Sequence, residues 1–295
     1  MKDSISIILP NYNGRNLLLE NLPSIVNSLE NAKSDFEIIV VDDCSTDDSV
    51  DMLKKEFPIV KIIINEVNQG FSATCNRGIH AAKNDLLCLI NTDVTVDINY
   101  FKNAFQYFDN DNLFAIKGDI INYDTTFDNV IDVQKTSQLY IKRGFLKSNQ
   151  KIEHIAQELS GAIGGQLVYL GCVFICDRVK MLQLNGFDEI FSPYYWEDFD
   201  LGLRALRHGY DVVYAPECFA YHKTSSTLSK YVSKTKKKLV STRNKFLFSW
   251  KHLQGLQQWS AHIFFTIIGL FTRWILLDWK YYFGFFSALY RKIQN

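Results

Sequence analysis

A chain of 295 residues, 47% of them hydrophobic, has the length for one large α/β domain, or for one domain with an appendage, and can bury a sizeable core. Its 32 basic residues balance its 32 acidic ones, which excludes a global basic field for nucleic acid and an acidic tail. Charge-based function must therefore come from local clusters. The six cysteines, at 44, 75, 88, 172, 176 and 218, form no CxxC pair and no metal-finger spacing; those in apolar runs read as reduced, buried thiols. Met1 to Ser4 lead straight into a strand and Pro10, without the apolar core of a signal peptide, so a cytoplasmic location is expected.

In chain order, Ile5 to Leu9 reads as a buried strand ended by Pro10-Asn11-Tyr12-Asn13-Gly14. Leu18, Leu22, Ile25, Val26 and Leu29 recur at helical spacing, and Pro23 implies a kink or a true start near Asn21. A second strand, Phe36 to Val41, runs into Asp42-Asp43-Cys44-Ser45-Thr46-Asp47. There Ser45 or Thr46 is expected to cap a helix with Asp47 and Asp48 in its first turn. A third strand, Val60 to Ile64, leads to Asn68-Gln69-Gly70 and a helix from Phe71 to Ala82. A fourth, beginning at Leu86, ends in Asn91-Thr92-Asp93.

Such strand-to-helix units argue a parallel sheet with right-handed crossovers. The polar strand tips then share one edge and one cleft, where open α/β sheets bind ligands. The acceptor-rich Asn91-Thr92-Asp93 is placed to hold a cation that neutralises a diphosphate, although a plain polar turn would look the same.

Further on, a helix is expected around Phe101, Phe105 and Phe108, then a strand at Leu113 to Ile116. From 121 to about 160 the periodicity fades, which reads as a loop-rich insertion. Gly161 to Gly165 is glycine-rich but lacks a following Lys-Ser or Lys-Thr, so no phosphate role is assigned. Gly171 to Asp177 is a buried strand with a short helix from Arg178, and helical spacing resumes at Leu201 and closes at Gly209. Asp211 to Ala215 gives a last strand before Tyr221-His222.

Glu197 and Asp198 open a helix beside Trp196. Acidic residues there answer the helix dipole in many proteins. A carboxylate against an aromatic wall can also act as a general base. His222 reads either as packed on Tyr221 or as a metal ligand.

The order of Ile-Leu-Pro-Asn-Tyr-Asn, Val-Val-Asp-Asp-Cys-Ser-Thr-Asp, Asn-Gln-Gly-Phe-Ser-Ala-Thr-Cys-Asn-Arg-Gly, Asn-Thr-Asp and Trp-Glu-Asp-Phe-Asp-Leu resembles the family 2 inverting glycosyltransferases, including their rhamnosyl- and galactofuranosyl-type members. The match runs over residues 4–224. It implies an α/β fold of the GT-A type: a Rossmann-like, mainly parallel central sheet flanked by helices, over residues 1–225. Residues 226–295 would form a helical appendage. It also implies transfer of a sugar from a nucleotide-diphosphate sugar donor to a hydroxyl of a glycan or lipid-linked saccharide acceptor.

Position by position, Pro10 and Tyr12 look like residues lining the nucleoside pocket, and Asp42 like the carboxylate that accepts from the base's ring N–H. Gly70 and Asn76 match the segment lying against the nucleoside. Asn91-Thr92-Asp93 stands where the family has Asp-X-Asp, so Asp93 would hold Mg²⁺ or Mn²⁺ and Asn91 would touch ribose or sugar. Asp198 matches the catalytic base, Trp196 and Glu197 the acceptor side, and His222 a further metal ligand. Two departures stand out: Asn91 replaces the usual first Asp, and Cys75 the usual Arg, which leaves UDP, dTDP and GDP open. Asn91 also keeps alive a catalytically silent nucleotide-sugar binding module. A sugar nucleotidyltransferase would need basic residues in a glycine-rich loop after the first strand, and Asn13-Gly14-Arg15 supplies few.

The last seventy residues change character. Lysines cluster between 230 and 245, and aromatic residues dominate from Trp250 on. Ile263 to Phe271 is too short an apolar run to span a bilayer. Amphipathic helices are expected, facing either an anionic membrane surface or another subunit in a homo-oligomer.

Overall fold

The computed structural model describes residues 4–123, 130–134, 136–151, 169–223 and 232–294. Four strands form its centre: β1 (Ser4–Asn11), β2 (Asp35–Asp42), β3 (Val60–Ile64) and β4 (Leu86–Ile90). They pair in parallel in the order β4-β1-β2-β3, as the strand-to-helix alternation requires. Side chains alternate across the sheet, and here both faces are covered. Ile7 and Leu9 pack with one group of helical residues while Ile8 packs with another, which explains why β1 reads as an unbroken apolar run.

Helix α1 (Arg15–Ala32) runs through Pro23 instead of starting at Asn21. Pro23 deprives the Leu19 carbonyl of a helical donor, but does so at an exposed position of the helix. Helix α2 (Ser49–Glu56) begins later than expected. The Asp47 carboxylate accepts from the Ser49 N–H at 3.1 Å and the Arg15 N–H at 3.1 Å, so it closes a turn and does not enter the helix. Helix α3 (Phe71–Ala81) covers the other face of β1 and β2.

Three more strands extend the sheet: β6 (Leu113–Lys117), β11 (Val173–Asp177) and β12 (Asp211–Tyr214). Strand β11 runs antiparallel between β4 and β6, which makes the sheet mixed at one side. Helices α4 (Tyr100–Phe105), α5 (Arg178–Gln183) and α6 (Glu197–Arg207) complete the layers.

A second sheet was not foreseen. Strands β5 (Val94–Val96), β13 (Ala220–Lys223), β7 (Ile120–Tyr123) and β8 (Val130–Gln134) pair in the order β5-β13-β7-β8. Part of the expected loop-rich stretch is thus strand, and a hairpin follows it, β9 (Thr136–Lys142) with β10 (Phe145–Lys151). Short strands without long apolar runs carry little periodicity to read. The glycine-rich stretch at 161–165 lies outside the described residues.

The C-terminal region is helical: α7 (Lys234–His252), α8 (Gly255–Thr272) and α9 (Trp279–Gln294). It is docked, since Phe246 and Phe248 are buried in one cluster with Phe191, Phe199 and Leu203 of the α/β layer. Among the described residues, no helix is long and apolar enough to cross a membrane.

Candidate active site

The parallel strands deliver their tips to one edge, and asparagines stitch the loops that follow. Asn11 is buried and donates to Asp42 Oδ2 at 2.7 Å, while the Ser45 N–H donates to Asp42 Oδ1 at 2.9 Å. Asn13, in the left-handed region at φ 50°, accepts through Oδ1 from the Thr46 N–H at 2.7 Å. The sequence shows these asparagines only as turn formers; in the fold they tie β1 to β2. Asp42 therefore lies buried at the tip with both oxygens already engaged by protein donors. Pro10 is half-buried beside it, and Tyr12 is exposed at the rim.

Asp43 escaped the sequence reading. Its Oδ1 accepts from Asn65 Nδ2 at 2.7 Å and from the Gln69 N–H at 2.8 Å, and its Oδ2 from the Gly70 N–H at 2.9 Å. One carboxylate thus fixes the whole Asn68-Gln69-Gly70 loop. The second of two adjacent aspartates was its only signal. Gly70 has φ 86°, and a Cβ there would stand 3.0 Å from Pro193 Cα. The Phe71 N–H donates to the Pro193 carbonyl at 3.0 Å, so the loop before α3 touches the loop before α6. Asn76 reinforces that junction. Its amide donates to the Phe187 carbonyl and accepts from the Phe187 N–H, both at 2.9 Å, and it also donates to Glu189 at 3.0 Å. The contacts of Asn76 thus give it a positioning role in this junction.

The Asn91-Thr92-Asp93 tip is held from behind, where Asn21 donates to the Thr92 carbonyl at 2.8 Å. The register of β13 on β5 sets His222 opposite Val94. That pairing brings His222 Nε2 within 3.5 Å of Asp93 Oδ1. On the other side of the ring, Nδ1 lies 2.7 Å from Asn122 Oδ1. A carbonyl acceptor at Nδ1 requires the proton there, which leaves the Nε2 lone pair directed to the Asp93 side. A metal-binding imidazole needs this tautomer, fixed by an outer hydrogen bond. Among the described residues no group of three His, Cys, Asp or Glu side chains is gathered for a metal. Asp93 and His222 are donors of the kinds that would hold a divalent cation. Asn91 is bonded through its backbone, its N–H donating to the Cys172 carbonyl at 3.0 Å.

That Cys172 contact leads to the candidate base. Next to it, Gly171 adopts φ 77°, and a Cβ there would meet Ile120 Cδ1 at 2.8 Å. The Gly171 backbone N–H steadies the Asp198 carboxylate, as do those of Phe199, at 2.8 Å, and Asp198 itself. Burial nonetheless raises the Asp198 carboxyl above its ordinary range. The Cys172 thiol, pushed up mainly by burial, is pushed further by Asp93 and by Asp198. The Asp93 and Asp198 carboxylates therefore both act on one short segment, Gly171-Cys172. Neither residue showed any signal in the sequence beyond a strand start.

Glu197 is buried with Oε2 lacking a hydrogen-bond partner, and burial followed by the charge of Asp198 raises its carboxyl as well. Tyr195 and Trp196, at φ 76° and 79°, turn the chain sharply into α6. The Trp196 ring packs on Phe199, with centroids 5.7 Å apart, and on Phe248 of α7 at 5.0 Å.

Residues 6–167 match the family model described as Glycosyl transferase family 2, and residues 87–291 match Glycosyl transferase family group 2. A poly(ribitol-phosphate) beta-glucosyltransferase of Bacillus spizizenii is 42% identical over 93 residues, 30% of this chain and 14% of that protein. The glycosyltransferase GlyG of Streptococcus pneumoniae is 26% identical over 194 residues, 64% of this chain and 60% of its own length. The chain thus spans less than two thirds of these relatives. The solved mannosyltransferase of Pyrobaculum calidifontis, in complex with GDP-Man and Mn²⁺, superposes with a TM-score of 0.59 at 14% identity, covering 97% of this chain and 73% of that one. At that identity the likeness shows the fold alone, which is the GT-A arrangement expected.

Proposed function

Because the chain belongs to glycosyl transferase family 2, we propose that it transfers a sugar, with inversion, from a nucleotide-diphosphate donor to a hydroxyl of a glycan or lipid-linked saccharide. The observation that supports this reading is the Asn91 N–H bond to the Cys172 carbonyl, since Cys172 feels the charges of both Asp93 and Asp198 and its neighbour Gly171 steadies Asp198. Asp198 accepts the acceptor's hydroxyl proton as that oxygen attacks the anomeric carbon. The bond from the anomeric carbon to the diphosphate oxygen breaks, and the nucleoside diphosphate leaves with the electron pair. Its elevated titration suits a base working near neutrality. Asp93 and His222 would hold Mg²⁺ or Mn²⁺, a Lewis acid for the charge developing on the leaving oxygens.

Asp42, Pro10 and Tyr12 form the nucleoside end of this reading, Gly70 and Asn76 position the loop beside it, and Asn91 and Thr92 flank Asp93. Trp196 and Glu197 face the acceptor side. A nucleotidyltransferase finds little support: Arg15, the basic residue after β1, pairs with Asp48 at 3.0 Å. A panel of UDP-, dTDP- and GDP-sugars tests the proposal. Release of nucleoside diphosphate that needs divalent metal is expected; none from any donor would leave a silent binding module. His222→Ala should weaken metal-dependent donor binding by at least about tenfold in calorimetry.

The C-terminal helices present Phe264, Phe271, Trp274, Leu276, Leu277 and Trp279 to solvent, the Trp274–Trp279 turn forming an apolar tip. Arg273, Lys280, Arg291 and Lys292 accompany them. Apolar rings beside basic groups suit insertion into the headgroup region of an anionic bilayer, which would bring a lipid-linked acceptor to the site. The full-length protein should co-sediment with anionic vesicles, and the triple variant Trp274→Ser, Leu276→Ser, Leu277→Ser should not. A wild type that instead dimerises without binding vesicles assigns this face to a second copy.

A further inference from the structure

A cleft of about 620 Å³ opens between the α6 entry loop, strand β10 and helix α7, and the proposed chemistry makes no use of it. Tyr195 and Trp196 line its inner side, and Lys147, Lys234, Lys237, Lys238 and Lys245 line the rest. No carboxylate among the described residues lines it. Among the described residues, Lys147, Lys234, Lys238 and Lys245 form no ion pair, although Lys54, Lys180, Lys223 and Lys251 all do.

The placement runs against local preference. Helix α7 has no acidic residue in its first turn, and its early turns carry Lys234, Lys236, Lys237 and Lys238 where the helix dipole disfavours cations. Lys245 sits over the Phe145 ring at 5.6 Å, and burial, together with Lys147 and Arg273, lowers its ammonium to about 8. Like charges gathered in a concave site repel one another, and an anion that joins them relieves that repulsion.

We propose that this cleft binds phosphate groups carried by the acceptor, so that the attached saccharide lies over Trp196 toward Asp198. This deepens the transferase reading and rests on it. The geometry supports the order of parts, because Trp196 forms a wall of the cleft and precedes the base by two positions. Compact, mobile ammonium groups suit phosphate as point charges, and several acting together give affinity that falls with salt.

The test titrates the full-length protein with inorganic pyrophosphate in EDTA, so that metal-dependent donor binding takes no part. Calorimetry at low salt compares wild type with Lys147→Gln/Lys245→Gln, with Lys234→Gln/Lys238→Gln, and with Lys54→Gln/Lys55→Gln on α2 as a control. Substitution of each cleft pair should weaken binding tenfold or more, the control should match wild type, and raised salt should weaken binding by both wild type and control. The two cleft pairs share no residue, so misfolding of one variant leaves the other informative. Equal affinity in wild type and both cleft variants, or no binding by wild type, overturns the proposal. Displacement of pyrophosphate by phosphatidylglycerol vesicles also overturns it, by assigning the lysines to membrane headgroups. Donor hydrolysis by the wild type is read separately. If that alone is missing, the transferase reading fails while the lysine dependence still decides what the cleft binds.

Discussion

Helix α6 carries two sets of carboxylates within one turn, and they stand in opposite states. Asp200 is fully buried and heavily served: Arg204 Nε donates to it at 2.7 Å, His252 Nε2 lies at 2.8 Å and Lys251 Nζ at 2.7 Å. Burial alone would raise its carboxyl, but the His252 hydrogen bond, Arg204 and Lys251 hold it down at about 2. Glu197 and Asp198, at the front of the helix, have backbone N–H groups but no cation, and burial raises both. Acidic residues at a helix start look alike in sequence. What separates a structural carboxylate from a reactive one is whether side-chain cations meet it. Asp200 fastens α7 to the α/β layer, while Asp198, the proposed base, meets no side-chain cation among the described residues.

Substitutions at the two positions should part cleanly. Asp198→Asn is expected to lower kcat by about 10²- to 10⁴-fold while donor binding and Tm stay near wild type. Turnover close to normal would remove Asp198 from the base role. Asp200→Ala should do the reverse, since it removes the acceptor of the buried His252 and of Arg204 Nε, while Lys251 keeps Asp188. A loss of about 3–5 kcal/mol is expected, because breaking a buried pair leaves uncompensated charge. A thermal melt reads it as a Tm lower by roughly 5–15 °C, with activity surviving below the new transition. An unchanged Tm would mean the latch contributes nothing.

The contrast can be sharpened by pH. Asp198 has a raised carboxyl, so the base form is lost early as pH falls, before an ordinary carboxylate would titrate. Asp200 has a depressed one; its stabilisation is fully present above the ordinary carboxylate range and fades only as pH falls toward about 2. Between the two lies a window in which the protein stays folded and transfers slowly. Coincident acid limbs in rate and in circular dichroism would erase the distinction. Glu197→Gln should have the smallest effect. Burial and the charge of Asp198 disfavour its ionised form, which the amide also lacks, so kcat should change within about threefold.

Much of the donor half was legible in the sequence, for a local reason. Parallel strands buried on both faces must be apolar, so their ends are visible, and topology puts consecutive ends on one edge. The pairing of Asp93 with His222 could be expected only through the resemblance, since it depends on β13 lying against β5 across 120-odd residues of sequence. The Asp200 latch was invisible, because its partner His252 lies 52 positions downstream in a helix that composition alone marked as amphipathic. The Gly171-Cys172 bridge was hidden for a different reason. It acts through backbone groups and a positive φ, which side-chain patterns do not record.

The close approach of Gly70 to Pro193 has a mechanical consequence. No side chain separates these loops, and the Phe71 N–H to Pro193 bond joins them directly. The segment following β3 and the segment that leads to Trp196 and Asp198 are therefore tied to each other, and Asp43 holds the first of them. A ligand that shifts one arm must shift the other, and coupling of that kind is reciprocal. Occupancy of the nucleotide end and occupancy of the acceptor end should report on each other through a single glycine without a Cβ.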